Sequence, residues 1–372
     1  MTRLEELLAP ERAEPSAQID VPPPEPSVPS ARARTAYRPA LDILKLLAAF
    51  GVICVHFGPQ APFAQNVVSV FLPFRVPFFI AAAFYFLCLF LRRDSSLAEF
   101  QRRLTAIVVP YLAWTLIYTV LRVVKHLDEP ARLIALNLEL PRFLLVGESA
   151  VHMYFVPMIC AGFVFSYVLC RATSSWFFRP ASICLLFLLG AGWHVVIPAA
   201  VHADITAAVG RWGIWACESL PYLATAMILT APRVRTAMER RPHLYFSVCA
   251  ALVLAYIILA RYGPGLSLTL LSSWLIANLV LVIGLNTPLQ ARTCAAAKPF
   301  LQSSFGIYLS HYVFIQILVW GEEEFAWQNV ASLNTAWFFA VCAAVFVLST
   351  FFTLAVARLP VISFVLLGRT AR

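Results

Sequence analysis

The sequence contains few charged residues. Asp, Glu, Lys and Arg make up 13% of its 372 residues, whereas 61% are hydrophobic. Soluble domains carry about 25% charged residues, so a water-soluble protein is excluded. The basic residues behind the net charge of +9 lie mostly in short segments between apolar runs, which is typical of membrane topology. No nucleic-acid partner is therefore expected.

Several motifs of enzymes and metal sites are also missing. None of the nine cysteines forms a C-x-x-C pair, and most lie inside apolar runs, which favours small core side chains over disulfides or metal ligands. No G-x-S-x-G elbow or Walker loop occurs, and none of the seven histidines has the Asp five positions later that glycerolipid acyltransferases carry. We therefore expect no metal and none of these three chemistries.

Apolar runs of roughly 18 to 25 residues recur after residue 39, each long enough to cross a bilayer core of about 30 Å. They lack the alternation of barrel strands, and lipid offers no partner to an unpaired backbone group, so they must be helices. The predicted fold is an all-α, polytopic membrane protein with about ten transmembrane helices. These cover residues 40–58, 67–91, 104–121, 153–170, 181–200, 212–230, 243–260, 266–285, 300–320 and 334–357.

The ends of the chain differ in composition from its centre. Residues 1–38 contain seven prolines and no apolar core of a signal peptide, so we expect a disordered cytoplasmic tail. Residues 39–358 form the predicted ten-helix domain, and residues 359–372 a short cytoplasmic end. Twenty Lys and Arg residues lie on one side and six on the other, so the positive-inside rule places both termini in the cytoplasm. The long outer stretch 122–151 has room for an interfacial helix.

The first predicted helix contains three ionisable residues, Asp42, Lys45 and His56, and such groups within a span are costly enough to indicate function. Lys45 and His56 are eleven residues apart, or three turns plus roughly 20°, so they share a helix face. Asp42 lies three residues before Lys45 and is placed to pair with it. The alternative is that Lys45 snorkels to the inner interface while His56 caps the outer helix end.

Polar residues in other predicted spans are further candidates. Arg75 lies between two prolines in the second helix, and Glu218 in the sixth is expected to pair with an arginine, because either charge is costly alone. His152 begins the fourth helix and His311 lies midway along the ninth. Each histidine has a structural alternative, at the interface or against a backbone carbonyl. Tryptophans near span ends, such as Trp114, are expected to be interfacial anchors.

Short motifs occur in a definite order over roughly residues 38–357. After Asp42, Lys45 and His56 come Arg75-Val76-Pro77-Phe78-Phe79-Ile80, Arg102-Arg103 with Pro110-Tyr111 and Trp114, His152-Met153-Tyr154-Phe155, and Ser304-Phe305-Gly306-Ile307-Tyr308-Leu309-Ser310-His311. Together they resemble the acyltransferase-3 family of bacterial membrane acyltransferases. The sequence departs from the family where Lys45 replaces an Arg, which loses a planar two-point phosphate grip. Ala82-Ala83 replace a usual Ser-Gly, and Tyr154 a common Trp.

The resemblance implies transfer of an acyl group, commonly acetyl, from cytoplasmic acyl-CoA to a hydroxyl of a surface carbohydrate or its lipid-linked precursor, such as exopolysaccharide. The enzyme would lie in the bacterial inner membrane. Catalytic candidates are His56 as general base or acyl carrier, Asp42 and Arg75; cofactor-binding candidates are Lys45, Arg102 and Arg103; substrate-side candidates are His152, Tyr154, Glu218 and His311. Positive-inside topology alone also accounts for Arg102 and Arg103. The alternative function is a transporter or flippase for a lipid-linked sugar, although no internal repeat supports it.

Overall fold

The computed structural model describes residues 37–57, 62–68, 74–93, 96–196, 199–262, 269–290, 294–325 and 334–369. These residues form helices joined by turns and contain no strand, which confirms the all-α class for the described part of the chain. The predicted tail, apart from Tyr37 and Arg38, lies outside the described residues.

A long helix occurs at each of the ten predicted positions. The helices are α1 (Pro39–His56), α2 (Pro62–Asn66), α3 (Arg75–Arg93), α4 (Leu97–Lys125), α5 (Pro130–Val146), α6 (Phe155–Thr173), α7 (Pro180–Val196), α8 (Ala199–Leu229), α9 (Pro232–Arg240), α10 (Pro242–Tyr262), α11 (Thr269–Asn286), α12 (Lys298–Leu301), α13 (Ser304–Phe325), α14 (Thr335–Val356) and α15 (Pro360–Leu367). Proline stands in the first turn of α1, α5, α9 and α15, where its missing N–H leaves no hydrogen bond unmade. Helix α5 lies within residues 122–151, where the sequence had room for an interfacial helix.

Five helices in the described part are long and apolar enough to cross a membrane: α1, α3, α4, α14 and the segment Phe155–Trp176. A sixth is formed if Gly210–Leu229 and Pro232–Met238, bent by 72°, are one span. The chain is therefore a multi-pass membrane protein. Three shorter apolar helices, Pro180–Trp193, Ser273–Asn286 and Ser304–Val319, fall at further predicted spans. The count of ten spans and the cytoplasmic termini stay predictions.

Helix α1 packs against α3, α11, α13 and α14. Ala48 and Ile53 on its inner side are completely buried, whereas Ile43 and Leu47 are exposed. Both stripes are apolar, as expected of a helix that contacts protein on one side and lipid on the other. This packing brings the C-terminal end of α1, with His56, against α13.

The structure differs from the sequence predictions in two places and adds a helix in a third. The second helix was expected over residues 67–91, but α3 begins only at Arg75, which therefore lies at a helix start and not inside a helix. Trp114 was expected at the membrane interface. That prediction is wrong, because Trp114 is 2% exposed and its indole N–H donates to the Leu366 carbonyl at 2.9 Å. Residues 359–372, predicted to be a short cytoplasmic end, include α15, which packs on α4.

Candidate active site

Three histidines from distant parts of the chain meet at one place, which we call the histidine cluster. His56 ends α1, His152 lies in the turn before α6, and His311 lies in α13. One ring nitrogen of each lies within 4.8 Å of the corresponding nitrogens of the other two. His152 is 3% exposed, His311 is fully buried, and His56 is half-buried. Each of the three histidines was a separate candidate from the sequence, and the structure brings them together.

Three tyrosines surround the histidine cluster, and none of them was a candidate from sequence. The ring centroids of Tyr118 and Tyr308 each lie 5.4 Å from that of His152, and the Tyr312 centroid lies 5.2 Å from that of His56. The sequence did contain a signal for Tyr308 and Tyr312, because residues 308, 311 and 312 share one face of a helix. Tyr118 comes from α4, and no local pattern points to it.

The hydrogen bonds of His311 determine which of its ring nitrogens carries the proton. Its Nδ1 lies 2.7 Å from the Tyr308 carbonyl oxygen and 3.3 Å from that of Ile307. A carbonyl only accepts, so Nδ1 is the protonated nitrogen, and in the uncharged ring Nε2 has a lone pair and no hydrogen. That Nε2 is buried and has no hydrogen-bond partner among the described residues. His311 therefore carries a buried hydrogen-bond acceptor that no other described residue uses.

Neither ring nitrogen of His152 has a hydrogen-bond partner within the described part of the chain. Burial lowers the pKa of His152 well below its usual value, the neighbouring His311 and His56 lower it further, and the nearby Leu309 backbone opposes them. The ring is therefore uncharged at pH 7, with one donor and one acceptor nitrogen. Because buried polar groups are ordinarily hydrogen-bonded, these nitrogens are suited to bind a small polar group.

The position of His152 depends on Gly147, which ends α5. Gly147 has a φ of 77°, in the left-handed region that favours glycine. A Cβ added there would lie 2.7 Å from both the Met153 carbonyl carbon and the Tyr154 Cα. The backbone that carries His152 thus packs directly on the glycine, and any larger residue would displace it.

Arg75, Tyr154 and Glu218 form a polar group next to the histidine cluster. Arg75 is close enough to His56 to act on it electrostatically. Burial raises the pKa of Tyr154, Glu218 raises it further, and Arg75 opposes them. Arg211 in turn attracts Glu218. Two of the substrate-side candidates and one catalytic candidate therefore lie close to one another, and Arg75 connects them to His56.

Asp42 and Lys45 lie toward the other end of α1. Lys45 Nζ is 3.1 Å from Asp42 Oδ1, which is the pair expected from their spacing, and it lies 5.3 Å from the centre of the Phe86 ring. Eleven residues of helix separate Lys45 from His56, or roughly 16 Å along the axis. The two ends of α1 therefore present different chemistry, a cation at one and an imidazole at the other.

The structure does not bring Arg102 and Arg103 to the histidine cluster. Both pair with Glu99 in the first turns of α4, at distances of 2.7 Å for Arg102 and 2.9 Å for Arg103. Arg102 is sixteen residues before Tyr118, or roughly 24 Å along the helix. Their side chains are 61% and 43% exposed.

A pocket of 420 Å³ opens where α3 and α6 end, at the end of the bundle opposite to the histidine cluster. It is lined by Leu91, Arg92, Cys170, Arg171, Ser174, Phe178 and Pro232. The Arg92 guanidinium donates to the Thr230 hydroxyl and the Met227 carbonyl and lies 3.8 Å from the centre of the Phe178 ring. These contacts hold a cation at the wall of the pocket.

Comparison with known proteins identifies one family. Its model, described as an acyltransferase domain, matches residues 38–354 and so covers nearly the whole chain. No curated protein and no solved structure matches the chain. The matched range includes every residue of the histidine cluster.

Proposed function

From the premise that the chain belongs to the acyltransferase-3 family, we propose that it moves an acetyl group from cytoplasmic acetyl-CoA to a carbohydrate hydroxyl. The family match supports a membrane acyltransferase in general, and the donor and acceptor are the proposal. The observation that carries it is the convergence of His56, His152 and His311 within 4.8 Å of one another.

Acyl transfer to an alcohol needs a base for the hydroxyl proton and a positive group near the developing oxyanion. Uncharged imidazoles of the histidine cluster supply the base, and His56 is the member that sequence position favours. Arg75 acts on His56 electrostatically and is the nearby positive charge for the oxyanion. The aromatic side chains around the histidine cluster keep bulk water away from the thioester.

The donor side of the proposal rests on the opposite end of α1. Lys45 is a compact cation suited to a phosphate group, and the roughly 16 Å between Lys45 and His56 is comparable to an extended pantetheine arm. The pocket beside Arg92 and Arg171 adds positive charge at the same end of the bundle. Arg102 and Arg103 take part only if they give up their pairing with Glu99.

The acceptor side of the proposal lies at the outer end of the bundle. Tyr154 is 42% exposed and lies two residues from the buried His152, and we propose that it contacts the acceptor. A sugar ring stacks readily on an exposed aromatic side chain of this kind. We propose an exopolysaccharide or its lipid-linked precursor as the acceptor, and the bacterial inner membrane as the location.

The experiment uses purified protein in detergent with radiolabelled acetyl-CoA and a carbohydrate acceptor. We expect label in the acceptor, and a loss of roughly a hundredfold or more in turnover for His56→Ala with acetyl-CoA binding retained. His126→Ala is the matched control, because His126 pairs with Glu129 outside the cluster. A protein that neither transfers nor hydrolyses the acetyl group, yet moves a lipid-linked sugar across vesicles, would be a flippase.

A further inference from the structure

The spacing of the histidine cluster fits an oxygen atom. An oxygen that makes hydrogen bonds of about 2.8 Å to three nitrogens around it in a plane holds those nitrogens about 4.8 Å apart. The three ring nitrogens lie within 4.8 Å of one another. Zinc bound at about 2.0 to 2.1 Å would require nitrogens only about 3.4 Å apart. The limit of 4.8 Å on the three spacings therefore leaves room for a hydroxyl oxygen between the nitrogens.

The charges around the histidine cluster also favour a hydroxyl oxygen as its occupant. Arg75 acts on His56, and a nearby guanidinium disfavours a divalent cation. The other residues in ring contact with the three histidines, as far as the structure describes them, are tyrosines, which add no negative charge. A neutral hydroxyl group carries no such electrostatic cost.

The protonation of His311 sets the direction in which a bound hydroxyl donates. Its Nδ1–H is committed to the Tyr308 carbonyl, so Nε2 only accepts. A hydroxyl has one hydrogen to donate and two lone pairs that accept. Its hydrogen therefore goes to His311, while an N–H of His56 or of His152 donates to the oxygen.

We propose that His311 is the catalytic base, with Nε2 taking the proton of an acceptor hydroxyl that is held between the three imidazoles. This rests on the proposed acyl transfer and moves the base from His56 to His311. As the O–H bond breaks, the oxygen bonds to the thioester carbonyl carbon. The C–S bond then breaks, and the thiolate leaves with the proton that His311 had accepted. His56 and His152 hold and orient the oxygen.

The Tyr308 and Ile307 carbonyls stabilise the imidazolium that His311 forms in this step. Both oxygens face Nδ1, at 2.7 and 3.3 Å. They keep the ring in one tautomer and attract its positive charge. In serine proteases a buried Asp has this function for the catalytic histidine. In this protein two main-chain carbonyls of the preceding helical turn have that function.

The variant that tests the proposal is His311→Asn. The Asn amide places an N–H where Nδ1 was, so the bond to the Tyr308 carbonyl is kept, and nothing remains at the position of Nε2. We expect acetyl-CoA binding to be unchanged and turnover to fall by roughly 10²- to 10⁴-fold. Added imidazole should restore part of the rate. His56→Asn should also be slow, but imidazole should not restore it.

Several results would overturn the proposal. If the parent transfers acetyl groups and His311→Asn does so at the parent rate, or imidazole restores His56→Asn instead, His311 is not the base and the proposed function stands. If the parent binds one equivalent of Zn²⁺ that His311→Asn loses, the cluster is a metal site. A parent without transfer activity refutes the proposed function itself.

Controls separate these effects from loss of folding. Ser349→Ala removes a buried hydroxyl that bonds only within its own helix, to the Val345 carbonyl, and should be active. Thermal unfolding in detergent shows whether each variant is folded. If His311→Asn does not fold, His311→Ala is measured in its place, with the same imidazole rescue as the deciding readout.

Discussion

The Tyr308 hydroxyl donates a hydrogen bond of 2.5 Å to the main-chain carbonyl of His152, a residue 156 positions earlier in the chain. Both residues are buried. The Tyr308 carbonyl in turn accepts from His311 Nδ1. One tyrosine therefore holds two of the three imidazoles, one through its side chain and the other through its main chain.

Replacing Tyr308 with Phe should disturb one of these links and spare the other. The change leaves the buried His152 carbonyl without its donor, at a cost of about 1 to 3 kcal/mol. We expect a lower Tm and a lower turnover with acetyl-CoA binding unchanged. Tyr167→Phe, at a buried tyrosine that stacks on Phe100 near the other end of α6, is the control. Parent-like turnover in Tyr308→Phe would show that the turn keeps its position without this bond.

Gly147→Ala should destabilise the turn that carries His152. The left-handed backbone costs about 1 to 2 kcal/mol for a residue with a Cβ, and the contact with Met153 adds to this. Thermal unfolding and turnover should both fall. Gly192→Ala on α7 is the matched control, since its Cβ would meet nothing within 4 Å. If Gly147→Ala and Gly192→Ala have the same unfolding temperature and the same turnover, the close approach at Gly147 is contradicted.

Lys45 should act on donor binding and not on the chemical step. Lys45→Ala removes the cation and should weaken acetyl-CoA binding, whereas Lys45→Arg should retain or improve it, because a guanidinium contacts phosphate at two points. Equilibrium binding and single-turnover kinetics distinguish the two effects. The assignment fails if Lys45→Ala binds acetyl-CoA as tightly as the parent.

Arg75→Ala should insert and purify like the parent but lose most of its transfer activity, because the positive charge beside His56 is removed. Arg75→Lys keeps the charge and tests whether the guanidinium geometry matters. Transfer rate and yield of folded protein are the two measurements. If Arg75→Ala is degraded while Arg75→Lys is fully active, Arg75 is a structural ion-pair partner.

Reporter fusions test the topology. The split of 20 to six basic residues predicts cytoplasmic readings at Arg93 and Arg240 and outer readings at Asp128 and Glu323. Arg93, Arg240 and Glu323 lie near the ends of three helices, and Asp128 lies in the turn after α4. If a single pair of fusions gives the two readings exchanged, the count of ten spans is wrong.

The sequence predicted local features well and the assembly of the site poorly. Helix positions and the pairing of Asp42 with Lys45 follow from hydrophobic runs and from spacing within one helix. The meeting of His56, His152 and His311 depends on how α1, α6 and α13 pack, and residues far apart in sequence carry no local signal of that packing. The prediction for Trp114 was wrong for the same reason, because its hydrogen-bond partner Leu366 lies in α15, a helix that was not predicted.

The bond from the Trp114 indole to the Leu366 carbonyl also bears on how the protein is made. The two residues are 252 positions apart. At about 5 to 20 residues per second, the ribosome needs roughly 13 to 50 s to travel from one codon to the other. During that time α4 is already synthesised while the helix that covers Trp114 is not. The α4 surface that α15 later buries is thus open to chaperones and to other unfinished chains for most of the protein's synthesis.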